Sequence, residues 1–519
     1  MLFLLLQNAS AQMPKHEIRA VWITTISGLD WPRSHSATSQ QRELTDILDK
    51  LQQANINTVL IQARVRASTI YPSNNEPWDI CLTGTAGRAP GYDPLKFCID
   101  ECHKRGMECH AWIVTIPVGK WNADGCKKLR ARYPNLIRKI GDEGYMDPEK
   151  PETGDYLAQV CADVTRRYDV DGIHLDYIRY PETWKLKVSR PQGRQNITSI
   201  VRKIHKAVKA EKPWVKLSCS PVGKYDDLSR YQSLGWNANT TVCQDAQGWL
   251  RDGLMDALFP MMYFQGNHFY PFVVDWKEHS YGRQVAPGLA IYMLHPREKN
   301  WDLDVIRREM NVLRQQGLGI TFFRSKFFTD NVKDVYTFTQ DFNPYPALIP
   351  PMDGITAPAP RPASYLSVNH GAATDLLTWQ AAPSKNDGNY LLYNIYASDR
   401  FPVDTEDPAC LVATRLQGQS LTVPHQGRSL NYAVTSVDRY GRESTPVFSS
   451  QATASVTNCP RPSVYNRRSP LRSAHCSHPA RSNAAWRWHG TGSPSGSLPP
   501  RSPPPWPCRN PPGHGYRCC

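Results

Sequence analysis

The chain has 519 residues and carries 61 Lys and Arg against 47 Asp and Glu, a formal net charge of +14. That length exceeds what a single core fills, so two or three domains are expected. The charge would suit a nucleic-acid partner, but Cys459–Cys519 holds nine Arg and no Lys, Asp or Glu, leaving +5 for the rest; no nucleic acid is expected.

Met1–Leu6 is apolar, and Ala9, Ser10 and Ala11 follow it as a small-x-small cleavage signal. Residues 1–11 therefore read as the remnant of a signal peptide, which predicts a periplasmic or secreted protein. No other stretch is long enough to span a membrane. The 14 Cys show no repeated spacing, and five fall in the tail. Several, including Cys109, Cys161 and Cys219, sit inside apolar patterns and read as core residues. Neither a disulfide framework nor a Cys-based metal site is expected.

From about residue 15 to residue 340, strand and helix signals alternate. Arg19–Thr25 predicts a strand and Gln40–Ala54 a helix; Ile56–Arg64 and Pro94–Arg105 repeat the pair, and Met107–Val114 is a third strand. A long insertion, Pro117–Pro151, precedes the helix Thr153–Arg167. The fourth strand lies in Asp171–Pro181. Side chains alternate faces along a strand, so Gly172, His174 and Asp176 share one face, with Asp176 at the carboxyl end. The later strands are Val215–Ser220, Asp256–Tyr263, Val285–Tyr292 and Leu318–Phe323. The helices between and after them are Gln195–Ala210, Thr241–Arg251, Phe272–His279, Leu303–Gln316 and Asn331–Thr339.

Eight strand–helix units with near-continuously apolar strands predict an α/β fold, a (β/α)8 TIM barrel. A doubly wound sheet is the alternative, but Thr24–Asp30 is not the glycine-rich phosphate loop that usually follows its first strand. In a barrel the functional face is the carboxyl rim. That rim gathers Asp30, Arg64, Arg66, Trp112, Asp176, Tyr177, Arg179, Tyr263 and Tyr292, with Ser220, Lys224, Asp226 and Asp227 after strand five. Aromatics, arginines and isolated carboxylates suit a carbohydrate pocket better than a cofactor cradle, and no cofactor is expected.

Residues 341–354 are a Pro-rich linker. Residues 355–452 carry short alternating strands and turn signals, with Trp379 and Tyr432 as core landmarks. The segment resembles a fibronectin type III domain. Residues 459–519 hold 13 of the 43 prolines and almost no aliphatic side chains, which predicts a disordered tail, read here as a frame-shifted read-through.

Glycoside hydrolysis usually requires two carboxyl groups. Asp176 is the first choice for one, with Arg64, Arg179 and Tyr263 placed to hold it ionised. Glu182, Asp226, Asp227 and Asp147 compete for the second. Asp171 and Asp256 open their strands and read as structural, as does His174. With no His-x-His or His-Glu-x-x-His motif, no metal is expected. A non-catalytic barrel that keeps the sugar pocket is the alternative to an enzyme.

Arg19–Ile23, Gly28–Pro32, Asn57–Arg64, Ala67–Ser73, Gly91–Leu95, His110–Trp112 and Asp171–Pro181 together resemble the glycosyl hydrolase-like family 10 barrel. The appended fibronectin-like segment is similar to the architecture of Bacteroidetes members. The resemblance implies an exported glycoside hydrolase acting on a polysaccharide such as peptidoglycan glycan strands, with Asp176 as catalytic carboxylate. Some relatives have two consecutive acids where this chain has Asp176 and Tyr177.

Overall fold

The structure, a computed structural model, describes residues 13–231, 235–381, 391–425 and 427–449. The predicted signal remnant and the Arg-rich tail lie outside these residues.

The first part of the chain is mixed α/β, built on a curled parallel sheet of nine strands. In chain order these are Arg19–Ile23, Thr58–Arg64, Glu108–Val114, Gly172–Asp176, Lys216–Cys219, Ala257–Leu258, Gln284–Val285, Gly288–Leu289 and Ile320–Phe322. They pair in sequential order without the reversal a doubly wound sheet requires. Gln284–Val285 pairs with Ala257–Leu258, and Gly288–Leu289 pairs with Ile320–Phe322. The two outermost strands are thus halves of one segment, separated only by Ala286 and Pro287.

The period-two alternation explains why these strands read as continuously apolar. Val59, Ile61, Cys109, Ala111, Ile173 and Leu175 face outward and bury against the helices. Ala20, Trp22, Leu60, Trp112, Val114, Phe259 and Ala286 face inward and form a second core. Trp22 is the hub of that interior, with its ring centroid 5.8 Å from Phe323, 6.2 Å from Phe259 and 6.0 Å from His174. Two glycines make room for it and its neighbours. A Cβ on Gly288 would stand 2.8 Å from the Trp22 indole, and one on Gly172 would stand 2.5 Å from the His110 imidazole.

Local chemistry sets the helix starts. Asp93 accepts from the Lys96 N–H with Pro94 in the first turn, and Ser189 caps Arg190–Glu211 in the same way. The helix predicted over Thr241–Arg251 is two short helices, Ala238–Thr241 and Ala246–Arg251, because Asn237 and Asp245 each cap a separate start. Strands six and seven are shorter than predicted, since Pro260 and Pro287 have no N–H to give a ladder. The last helix runs Val335–Phe342 rather than Asn331–Thr339. The long insertion is an antiparallel sheet of Pro117–Lys120, Glu143–Met146 and Ile137–Ile140, with the helix Asp124–Arg132.

The Pro-rich stretch is not a free linker. Leu348 N–H donates to Lys15 O at 2.8 Å, Glu17 N–H donates to Leu348 O at 2.9 Å, and Ala347, Leu348 and Ile349 are buried. Beyond it lie two antiparallel sheets. One comprises Leu366–His370, Thr374–Trp379 and Ser420–Pro424; the other comprises Leu411–Leu416, Leu392–Ser398, Asn431–Val437 and Val447–Phe448. They share a core that includes Leu377, Trp379, Tyr393, Ile395, Tyr432 and Val434.

These sheets meet the amino-terminal end of the parallel strands. Arg415, at φ 54°, reaches Glu108 Oε1 at 3.2 Å and Asp171 Oδ1 at 2.5 Å. Lys216 sits 2.5 Å from Glu108, and His103 bonds the other Asp171 oxygen at 2.8 Å. Among the described residues no helix is long and apolar enough to cross a membrane.

Candidate functional site

Strand Gly172–Asp176 lies between Glu108–Val114 and Lys216–Cys219, so its last residue emerges at the carboxyl end of three neighbouring strands. Thr115 pins the Asp176 carbonyl with both its N–H and its hydroxyl, at 2.9 and 2.8 Å. The Asp176 carboxyl group takes three donors, each from a different place. Tyr177 N–H donates to Oδ1 at 2.7 Å, Ser220 Oγ–H to Oδ1 at 3.0 Å, and the Trp112 indole N–H to Oδ2 at 3.1 Å. Burial nevertheless outweighs these donors and the Arg179 charge, and it raises the Asp176 pKa above the ordinary carboxylate value.

The next residues invert that logic. Tyr177 has φ 56°, a left-handed conformation uncommon for an aromatic residue. Its hydroxyl donates to Glu182 Oε2 at 2.6 Å. Arg179 stacks on the Tyr177 ring at 3.9 Å and lies 2.9 Å from Glu182 Oε1; it also lies over the Trp236 ring at 5.2 Å. Burial opposes a charge on Glu182, but Arg179 and the Tyr177 hydroxyl together outweigh it, and the Glu182 pKa falls below its ordinary value. Two carboxyl groups that contact the same tyrosine are thus displaced in opposite directions.

Below Asp176 on the same face, His174 is fully buried. Trp22 Nε1 lies 3.3 Å from His174 Nε2, and His174 Nδ1 lies 3.0 Å from Ser218 Oγ. The indole can only donate, so Nε2 accepts and Nδ1 carries the proton. Burial pushes the His174 pKa well below its ordinary value, and the ring is neutral.

Several residues expected to touch substrate occupy other positions. Arg64, with 0% of its side chain exposed, forks onto Glu76 at 2.7 Å and bonds the carbonyls of Val114 and Thr115. It is spent on the wall and does not hold Asp176 ionised. Asp30 is equally sealed, paired with Arg324 and accepting from Thr24 N–H at 2.8 Å. Arg179 is also fully buried and acts through Tyr177 and Glu182. Trp112 is 5% exposed and orients the Asp176 carboxylate.

Of the remaining expected contacts, Arg66 keeps 40% of its side chain in solvent, 3.7 Å from Glu143 on the insertion. Tyr263 and Tyr292 are partly buried and pack edge-on at 5.8 Å, each also against Phe323. Asp226 is engaged by its own loop, accepting from Asn239 at 2.7 Å, Asn237 at 3.4 Å and the Asp227 N–H at 2.8 Å. Asp147 is buried and accepts from the Glu149 N–H at 3.0 Å, ahead of the helix Pro151–Arg167. Asp171 and Asp256 bond backbone N–H groups at the starts of neighbouring strands. Trp236 and Glu143 belong to the site's surroundings without any periodic signal in the sequence that could have found them.

All nine described cysteines are buried and unbridged. Three come together nonetheless. The Cys98, Cys102 and Cys109 sulfurs lie within 4.8 Å of one another, a set of soft metal donors that the scattered spacing did not reveal. Cys109 is near the amino end of its strand, on the outer face, remote from the rim that carries Asp176.

The family model for glycosyl hydrolase-like 10 matches residues 17–190 and 185–292, which spans every side chain around Asp176 described above except Phe323 and Arg324. The glycosyl hydrolase YngK of Bacillus subtilis is 28% identical over 483 residues, covering 84% of this chain and 93% of that protein. The glycosyl hydrolase DigH of Escherichia coli K12 is 31% identical over 297 residues, covering 49% of this chain and 67% of that protein. Among solved structures, the catalytic domain of a Paenibacillus polymyxa β-amylase overlaps 64% of this chain and 98% of its own, at 10% identity and a TM-score of 0.45. On the family match and the identity to DigH, the chain belongs to the glycosyl hydrolase-like 10 family.

Proposed function

We propose that this protein is a glycoside hydrolase in which Asp176 is the general acid and Glu182 its ionised partner. What supports the reading is that Tyr177 contacts both carboxyl groups in unlike surroundings: burial favours the neutral form of Asp176, while Arg179 at 2.9 Å and the Tyr177 hydroxyl at 2.6 Å favour the charged form of Glu182. Paired titratable groups pushed apart by their surroundings are how one site holds an acid and a base at the same pH. In its protonated form, which burial favours, Asp176 donates a proton to the glycosidic oxygen as the bond to the anomeric carbon breaks. The charged Glu182 then faces a developing oxocarbenium ion, which it stabilises directly or through an activated water. Asp226, held by two asparagines, has no part in this scheme.

The finer assignments follow from the same reading. The curled sheet is assigned as a closed (β/α)8 barrel, supported by the single segment that supplies both of its edges. The paired C-terminal sheets are assigned as a fibronectin type III-like domain, supported by the buried Trp379 and Tyr432. The substrate is a polysaccharide, with cell-wall glycan strands the leading choice, and the protein acts in the periplasm or outside the cell.

The test is turnover on a glycan panel by the full chain and by Asp176→Asn and Glu182→Gln. Loss of turnover in both variants with glycan binding retained is the expected result. Full turnover by Glu182→Gln overturns the pairing. Glycan binding with no turnover by the unmodified chain would favour the sugar-binding alternative.

A further inference from the structure

Lys224 stands on the loop that follows strand Lys216–Cys219, four residues beyond Ser220, whose hydroxyl bonds Asp176. Only 5% of the residue is exposed, an unusual position for an ammonium group. Its Nζ lies 5.3 Å from the Phe264 ring centre and 5.0 Å from that of Phe272, so two aromatic faces flank it. Its polar partner is His268 Nδ1 at 2.9 Å, and that nitrogen accepts only while unprotonated. Among the described residues no carboxylate lies within ion-pair distance. Asp227, exposed on the same loop, is the one acid that favours the charge.

Burying a cation without a matched anion is costly, and two aromatic faces with a neutral imidazole offset only part of that cost. Among the described residues the other buried cations are matched: Arg64 with Glu76, Lys216 with Glu108, Arg19 with Glu17 and Arg179 with Glu182. Lys224 is the exception, and it sits at the functional rim. His268 belongs to the exposed stretch Gln265–His268, so the imidazole can yield its place to an incoming group without disturbing the core. Four extended residues reach at most about 14 Å between the Cα atoms of Ser220 and Lys224, and with the two side chains added the cation still lies within the span of a short oligosaccharide from the Asp176 carboxyl group.

We propose that Lys224, with His268 as its placeholder, is a subsite for a carboxylate carried by the glycan, so that the substrate is an acidic polysaccharide. The inference rests on the glycosidase reading of the Asp176 site. A carboxylate entering here forms a charge-assisted hydrogen bond with Nζ between the Phe264 and Phe272 rings, which shield it from part of the solvent and so strengthen it.

The experiment measures binding to the full-length Asp176→Asn protein, which holds glycan without cleaving it. The probes are two matched pairs: oligosaccharides of peptide-stripped cell-wall glycan, whose carboxylates are ether-linked, and uronate oligosaccharides, each beside its carboxyl-reduced form. The expected result is that one acidic probe binds at least about tenfold more tightly than its reduced partner. That preference should shrink as salt rises, and Lys224→Gln should abolish it while leaving affinity for the reduced probe unchanged. The salt dependence is read on the Lys224 protein and holds even where Lys224→Gln does not fold. Which pair shows the preference identifies the source of the carboxylate. Equal binding of acidic and reduced probes overturns the subsite and leaves the glycosidase reading standing. Binding of none of the four probes, with no turnover on the glycan panel, overturns both.

Discussion

The Tyr177 hydroxyl lies 2.6 Å from Glu182 Oε2, while the same residue's backbone N–H lies 2.7 Å from Asp176 Oδ1. One residue in a left-handed conformation therefore contacts both carboxyl groups, and it helps keep one of them charged. Replacing Tyr177 by Phe removes a hydrogen bond to the charged form of Glu182, so the Glu182 pKa rises. In the proposed mechanism activity requires Glu182 ionised and falls as pH drops through its pKa. The acid limb of the kcat/KM profile should therefore move to higher pH, with a loss of about tenfold on that limb, in line with a bond to a charged group. The alkaline limb, where the raised Asp176 group gives up its proton, should stay in place.

Arg415 joins the C-terminal sheets to the floor of the parallel sheet. Removing it leaves Glu108 and Asp171 buried with less compensation, and breaking a buried pair in this way costs about 3–5 kcal/mol. Arg415→Ala should lose stability of that order in chemical unfolding. Its kinetics at a temperature where it is folded should be unchanged.

The same floor fixes the acid limit of the fold. Burial opposes the charge on Glu108, but Lys216 and then Arg415 outweigh it and hold its pKa at about 2 against an ordinary 4.5. Asp171 is displaced in the same direction by His103 and Arg415, against its own burial. Both are depressed carboxylates, so their stabilisation is complete above the unfolded values and is lost as pH falls through the folded ones. Thermal unfolding followed from pH 6 to pH 2 should show stability dropping steadily below about pH 4.5.

Glu309 predicts the opposite slope. It is buried on helix Leu303–Gln315, neither carboxyl oxygen has a hydrogen-bond partner among the described residues, and burial raises its pKa to about 9. The unfolded chain ionises this group above about pH 4.5, whereas the folded chain holds the proton until about pH 9. Stability should therefore fall by up to about 1.4 kcal/mol per pH unit across that window from this residue alone. Glu309→Gln should be more stable than the parent at pH 8 and nearly equal to it at pH 4.

The parallel strands and the placement of Asp176 were legible because both rest on local signals: period-two alternation, strand ends, and helices that start at Asp93 and Ser189. The identity of the rim's substrate contacts was not. Arg64 and Asp30 read as rim charges, but Glu76 folds back onto Arg64 from the loop that follows the same strand and Arg324 reaches Asp30 from just after the last parallel strand, and pairing of that kind leaves no periodic trace. The same holds for the expectation that arginines keep Asp176 ionised, since Arg64 is taken by Glu76 and burial dominates at Asp176. The short sixth and seventh strands could have been foreseen from Pro260 and Pro287. The meeting of Cys98, Cys102 and Cys109 could not, because it depends on how one helix packs against the next strand.

The central claim is that Asp176 delivers a proton to the leaving group, and leaving-group dependence tests it most directly. Turnover by the parent and by Asp176→Asn is compared on one glycan unit linked either to a sugar alcohol or to dinitrophenol, a leaving group that needs no proton. The account predicts a loss of about 10²–10⁴ with the alcohol and turnover within about tenfold of the parent with dinitrophenol. Equal turnover of both substrates by the two proteins would remove Asp176 from the mechanism.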